Sequence, residues 1–175
     1  LTVRYRNIAR VVRTHGRRGE VVAEALRGLP FVVRTGLEVA LTPPALKRDR
    51  FMTVESVRDQ GDQFVVAFAG IDSLTAAVDI VGCYLLARED DLDLGALEVS
   101  LDRLRGREVI DERFGSLGVL SDIMETPAND VWVVEGGPYG EVLIPVIDDA
   151  IDAIPDDGPL PVHIMDGLID TSSRG

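Results

Sequence analysis

The sequence predicts a mainly all-β protein built as two small barrels, and three observations carry that prediction. Short runs rich in β-branched residues recur along the chain. Glycine and proline punctuate the gaps between them, as at Gly16, Gly19, Gly28-Leu29-Pro30, Gly36, Pro43-Pro44 and Gly61. An acidic, apolar-poor segment, "EDDLDLGALE" at 89–98, separates two halves of roughly eighty residues, each long enough to bury a core.

The first half opens on "YRNIARVVRTHG", which alternates as a strand does, and "GEVVAEAL", "LEVALTP", "FMTVESVRD" and "QFVVAFAG" follow at short spacing. Several short strands with turn signals between them argue a closed barrel or a sandwich. One helix is predicted over "DSLTAAVDIVG": Asp72 or Ser73 caps it, Ala76 and Ala77 favour it, and Gly82 stops it. "CYLLAR" then returns as a strand. The second half reads "REVID", "LGVLSDIM", "VWVV", "EVLIPVI", "AIDAIP" and "PVHIMDGL", again as strands, and does not repeat the first. The expected organisation is a barrel over 1–88, an acidic linker over 89–98, a second barrel over 99–170 and a tail over 171–175.

Within the second half, Pro127-Ala128-Asn129-Asp130 stands between two strand-like runs. Pro127 presets φ, Asn129 tolerates a left-handed backbone, and the Asn or Asp side chain can bond its own main chain. The stretch reads as a structural turn, with Asp130 also placed to satisfy buried amides across it.

The net charge of −12 conceals an asymmetry. Residues 1–50 carry eleven Arg or Lys against four Asp or Glu, a balance of +7, whereas residues 51–175 carry seven against twenty-six, a balance of −19. Such polarity suits one anionic and one cationic partner. No apolar run approaches the ~20 residues of a membrane span. No signal-peptide pattern opens the chain, and Leu1 in first position reads as trimming or a non-ATG start. The single cysteine, Cys83, fits a reducing cytosol and reads as a buried, inert thiol. The expected location is cytoplasmic.

Motifs for chemistry are sparse. Neither a Walker A loop nor a dinucleotide fingerprint is present, and no G-x-S-x-G elbow supports a nucleophile. His15 and His163 are far apart in sequence, with no cysteine or carboxylate at ligand spacing. Asp148-Asp149, Asp152 and Asp156-Asp157 alternate with Ile147, Ile151 and Ile154, as on the solvated side of an amphipathic segment. No catalytic residue, metal or cofactor is expected. Gly16-Arg17-Arg18-Gly19 matches the G-x-x-G loop of KH domains, but that loop joins two helices and here both flanks alternate like strands. The alternative is a hairpin tip that exposes Arg17 and Arg18, where arginines can still meet phosphates.

Taken together, these residues resemble the bacterial ribosome maturation factor RimM family. His15, Gly16, Gly19 and Glu20 match its His-Gly-x-x-Gly-Glu loop, and Thr53 to Val57 match its Thr-Val-Glu-Ser-Val strand. Gly70-Ile71-Asp72 through Gly82 matches its Gly-Ile-Asp segment and helix. Leu117-Gly118, Asp122, Pro127 to Val131 and Glu141 to Pro145 match its C-terminal signature, all in family order. The resemblance runs from about Ile8 to Ile169. One departure stands out: where the family carries a Tyr-Tyr pair, an aromatic and a polar residue, this chain has Val99, Ser100, Leu101 and Asp102.

The resemblance implies an N-terminal six-stranded translation-factor-like β-barrel followed by a C-terminal PRC-type β-barrel. It also implies a non-catalytic chaperone of small-subunit (30S) assembly and 16S rRNA processing, acting as a monomer. Its implied partners are a ribosomal protein of the small-subunit head and the immature small subunit with its rRNA, not a membrane. The partner surfaces it points to are His15 to Glu20 and Val99 to Asp102. Two rivals come from other classes: a barrel ligand-binding or flavin-reductase-like protein, which would colour on purification, and an acidic mimic of nucleic acid.

Overall fold

The structure, a computed structural model, describes residues 2–42, 49–126 and 129–169. Pro127 and the tail at 171–175 lie outside the described residues. The chain divides into two compact units, Leu1–Leu97 and Glu98–Gly175.

Unit 1 is a closed six-stranded barrel. Its strands are β1 (Tyr5–His15), β2 (Glu20–Ala25), β3 (Glu38–Thr42), β4 (Phe51–Asp59), β5 (Phe64–Phe68) and β6 (Tyr84–Arg88), in the ring order β1-β2-β5-β4-β3-β6. Closure depends on the length of β1. Its first part pairs with β6, from Tyr5↔Arg88 to Arg10↔Tyr84, and its last part with β2, from Ala9↔Ala25 to His15↔Glu20. Register shifts between Asn7 and Ala9 and between Val11 and Arg13 bend the strand between its two partners. Inward positions are apolar: Ile8, Val21, Leu41, Val54, Phe68 and Leu85 are buried in one core. Each such side chain contributes about 1.5–3 kcal/mol when fully buried.

The helix predicted over 72–82 forms over less of that span, as α1 (Leu74–Val78). Ser73 is its N-cap, its hydroxyl accepting from the Ala76 N–H at 3.2 Å. Turns then run to Gly82, whose φ of 88° and N–H bond to the Val11 carbonyl (2.8 Å) end the excursion.

Residues 89–98, expected as an acidic linker, carry local helical structure. A 3-10 turn spans Glu89–Asp91, and α2 covers Leu94–Asp102. The acidic composition hid two facts. Asp93 accepts from the Ala96 N–H (3.0 Å) at the start of α2, and Leu97 is buried while the residues around it are exposed.

Unit 2 is a five-stranded sheet of β7 (Glu108–Asp111), β8 (Gly115–Met124), β9 (Val131–Gly137), β10 (Gly140–Pro145) and β11 (Leu160–Val162), in the order β10-β9-β8-β7-β11. All neighbours are antiparallel except β11, which runs parallel to β7. Trp132, Leu120, Ile144, Ile151 and Leu160 form its core. The segment "AIDAIP" is not a strand: only Ile151 makes a bridge, to Val162. Among the described residues no helix is long and apolar enough to cross a membrane.

Candidate partner-binding surfaces

In unit 1 the Gly16–Gly19 turn joins β1 to β2, with His15 and Glu20 facing one another across the ladder. Gly19 has φ 92°, and a Cβ there would lie 2.6 Å from the Ile71 carbonyl carbon and 2.9 Å from the Asp72 nitrogen. Only glycine lets the turn rest on the Gly70-Ile71-Asp72 backbone. Arg17 and Arg18 are thereby held at the tip, exposed. Glu20 is engaged in an ion pair with Arg58, and Arg13 bonds Gln63. The turn is a rigid hairpin tip with strands on both flanks, unlike the helix-flanked loop of KH domains.

In unit 2 the four residues at the family's aromatic positions divide by exposure. Val99 is 56% exposed, whereas Leu101 is 6% exposed, on the opposite side of α2. Asp102 is exposed and shares Arg105 with Glu98, whose Oε1 accepts at 2.7 Å. The hydrogen bond that Arg105 donates to Glu98 raises the guanidinium pKa above its ordinary value against the opposing effect of burial, with Asp102 adding to it. Ser100 is half-buried and has interactions of its own.

The Pro127–Asp130 stretch connects β8 to β9, the two strands meeting at Met124↔Val131. Asn129 is not left-handed, since no non-glycine residue among those described has positive φ. Thr126, which the sequence reading passed over, holds the connection: its hydroxyl donates to the Asn129 carbonyl and accepts from the Asn129 N–H (3.2 Å). Asp130 is buried, and its backbone carbonyl accepts from the Val146 N–H at 2.8 Å. Trp132 is fully buried in the core, so its indole is no contact surface.

A second set of residues was missed altogether. Asp111, 2% exposed, accepts from three backbone N–H groups: Arg113 (2.7 Å), Phe114 (3.0 Å) and Ile164 (2.6 Å). Burial opposes its charge, but the amides of Ile164, Phe114 and Arg113, with the Arg113 guanidinium, outweigh it and hold the carboxyl below its ordinary value. Arg113 also pairs with Asp166 at 3.0 Å and packs over the Phe114 ring. Alternation along "REVID" was the available signal, because it puts Val109 and Asp111 on the same inward face.

His163 Nε2 lies 2.8 Å from Asp152, a pairing that sequence spacing did not show. Among the described residues, no three His, Cys, Asp or Glu side chains group as a metal site. The fold also redistributes charge. Unit 1 carries thirteen basic and thirteen acidic residues and is neutral, while unit 2 carries five against seventeen, so the whole −12 belongs to unit 2.

A closed N-terminal barrel followed by a second, strand-rich unit defines a two-domain β class of protein, and family models divide the chain the same way. The one described as RimM N-terminal domain matches residues 7–92, and the one described as PRC-barrel domain matches residues 97–159. The chain is 34% identical to the ribosome maturation factor RimM of Shouchella clausii, over 94% of this chain and 96% of that protein. It is 30% identical to the RimM of Thermosipho africanus, over 82% of each. The crystal structure of a RimM protein from Pseudomonas aeruginosa aligns at 23% identity and TM-score 0.43, over 93% of this chain and 98% of that one. The chain belongs to the ribosome maturation factor RimM family.

Proposed function

We propose that this protein is a cytoplasmic ribosome maturation factor that acts without chemistry of its own. It binds a basic ribosomal protein of the small-subunit head through unit 2 and assists small-subunit assembly and 16S rRNA processing as a monomer. The observation that carries the reading is the concentration of the full −12 in unit 2 of a chain from this family. A negative surface steers a basic partner toward it and excludes bare rRNA from the same face. In unit 1, Arg17 and Arg18 on their rigid tip approach an rRNA phosphate of the immature particle.

Co-sedimentation tests this. The protein should travel with free or immature small subunits and not with assembled ribosomes; equal association with both, or with neither, would overturn the assignment. Replacing Arg17 and Arg18 with Ala should change stability by no more than about 0.5 kcal/mol, because both are exposed. The same change should weaken association and flatten its salt dependence. An unaltered salt slope would make the tip a plain turn.

A further inference from the structure

We propose that unit 2 carries a docking groove on the outer side of the β7–β11 pair for an extended basic peptide segment that inserts one apolar side chain. This rests on the reading that unit 2 binds a basic ribosomal protein, and it says where and how.

The groove follows from the parallel pairing. Ile110 and Pro161 are register partners, while Val109 and Asp111 beside one, and Leu160 and Val162 beside the other, are buried. Ile110 and Pro161 therefore turn outward together. With Pro155 and Pro159 they line a cavity of about 390 Å³. Its apolar walls accommodate an aliphatic side chain.

The groove is preformed. Arg107 donates from Nε to the Gly158 carbonyl and from Nη2 to the Pro155 carbonyl, both at 2.8 Å, and so ties the 155–159 loop to the sheet. Prolines in that wall have little freedom left to lose when a ligand docks. The exposed Asp156 and Asp157 ride on the same tethered loop.

Charge selects the occupant. Glu112 and Asp152 line the cavity, and His163, also in the lining, is paired with Asp152. Arg107 is not in the lining and spends its Nε and Nη2 donors on carbonyls of the wall. An apolar slot with Glu112 and Asp152 in its lining and Asp156 and Asp157 on the adjoining loop fits a chain in which lysine or arginine flanks an aliphatic residue, and disfavours RNA.

The test uses the full-length protein, labelled with nitrogen-15, and a blocked synthetic nonapeptide with one central leucine between lysines. Amide shifts should cluster at Ile110, Val162 and His163. Replacing the leucine by glycine should weaken binding at least about tenfold, and replacing the lysines by glutamate should abolish it. The double variant Asp156→Lys, Asp157→Lys alters only exposed positions and should also weaken binding. Shifts scattered elsewhere, equal binding of the glutamate peptide, or the same cluster produced by a single-stranded RNA oligonucleotide would each overturn the proposal. Co-sedimentation separates it from the broader reading. A wild-type chain that fails to travel with immature subunits overturns the maturation role, whereas a double variant that travels as well as wild type overturns the groove alone.

Discussion

Gly19 rests on the carbonyl of Ile71, so the turn between β1 and β2 and the segment leading into α1 form one packed corner of the barrel. Two stretches that read as separate motifs in the sequence, His15–Glu20 and Gly70–Asp72, are thus one structural feature. The glycine is required by contact as well as by backbone conformation.

Gly19→Ala is therefore expected to cost about 2–4 kcal/mol, through the close approach to backbone atoms together with strain at positive φ. Gly16 also has positive φ, but a Cβ there meets nothing within 4 Å. Gly16→Ala should cost only about 1 kcal/mol. Denaturant unfolding followed by circular dichroism checks the contrast, and equal losses would contradict the packed corner.

Asp111 ties β7 to Arg113, Phe114 and the backbone at Ile164. Asp111→Ala should destabilise unit 2 by about 3 kcal/mol at neutral pH, since it strands buried N–H donors. The folded carboxyl titrates below its unfolded value of about 3.9. Its contribution is complete above that unfolded value and drains away as pH falls through the lower folded one. The gap between wild type and variant should accordingly narrow in acid. Trp132 is the sole tryptophan and is buried in unit 2, so its fluorescence in urea titrations at neutral and acidic pH reports this directly.

Thr126, rather than the Asn129 side chain, closes the β8–β9 connection in the described residues. Thr126→Val should cost about 1 kcal/mol, the net worth of a lost side-chain hydrogen bond. Asn129 meets Thr126 through its backbone alone, so Asn129→Ala should cost less than Thr126→Val. Tryptophan fluorescence in urea ranks the two variants, and the reverse order would restore Asn129 as the residue that fixes the turn.

Val99 projects from α2 with more than half its surface exposed. Val99→Tyr should fit without loss of stability and should slow dissociation from immature small subunits, leaving the association rate near its original value, because burial acts mainly on the off-rate. Ser100 is half-buried and already engaged, so Ser100→Tyr should destabilise instead. Binding kinetics and melting curves of the two single variants separate these outcomes.

The barrel of unit 1 was legible because its strands alternate over long runs and its turns carry glycine, as at Gly16 and Gly61. The strand-like runs of the second half were legible in the same way, and the resemblance to RimM added the PRC type of its barrel. What escaped the sequence was local competition and long-range pairing. Four acids in the first five residues of 89–98 suggested a solvated linker, yet Asp93 caps a helix there and Leu97 is buried in it. Asn129 carried the expected turn chemistry, but the neighbouring Thr126 hydroxyl performs it. Asp111 was not singled out, because its partner at Ile164 lies 53 positions away. The groove was invisible for the same reason, since it exists only where β11 meets β7.

That meeting has a consequence for the order in which the two units mature during synthesis. Unit 1 closes when β6 pairs with β1, so its barrel is complete once residue 88 has left the exit tunnel. Unit 2 cannot finish its sheet until Leu160–Val162 arrives beside β7, and Asp111 waits still longer for the amide of Ile164. Both closures span long loops, Tyr5 to Arg88 in unit 1 and Val109 to Leu160 in unit 2, so each unit waits for its last strand to emerge. A nascent chain halted between residues 145 and 160 therefore presents a finished barrel followed by an open, acidic sheet with a vacant strand position. Its electrostatic surface is built well before the surface has a stable shape.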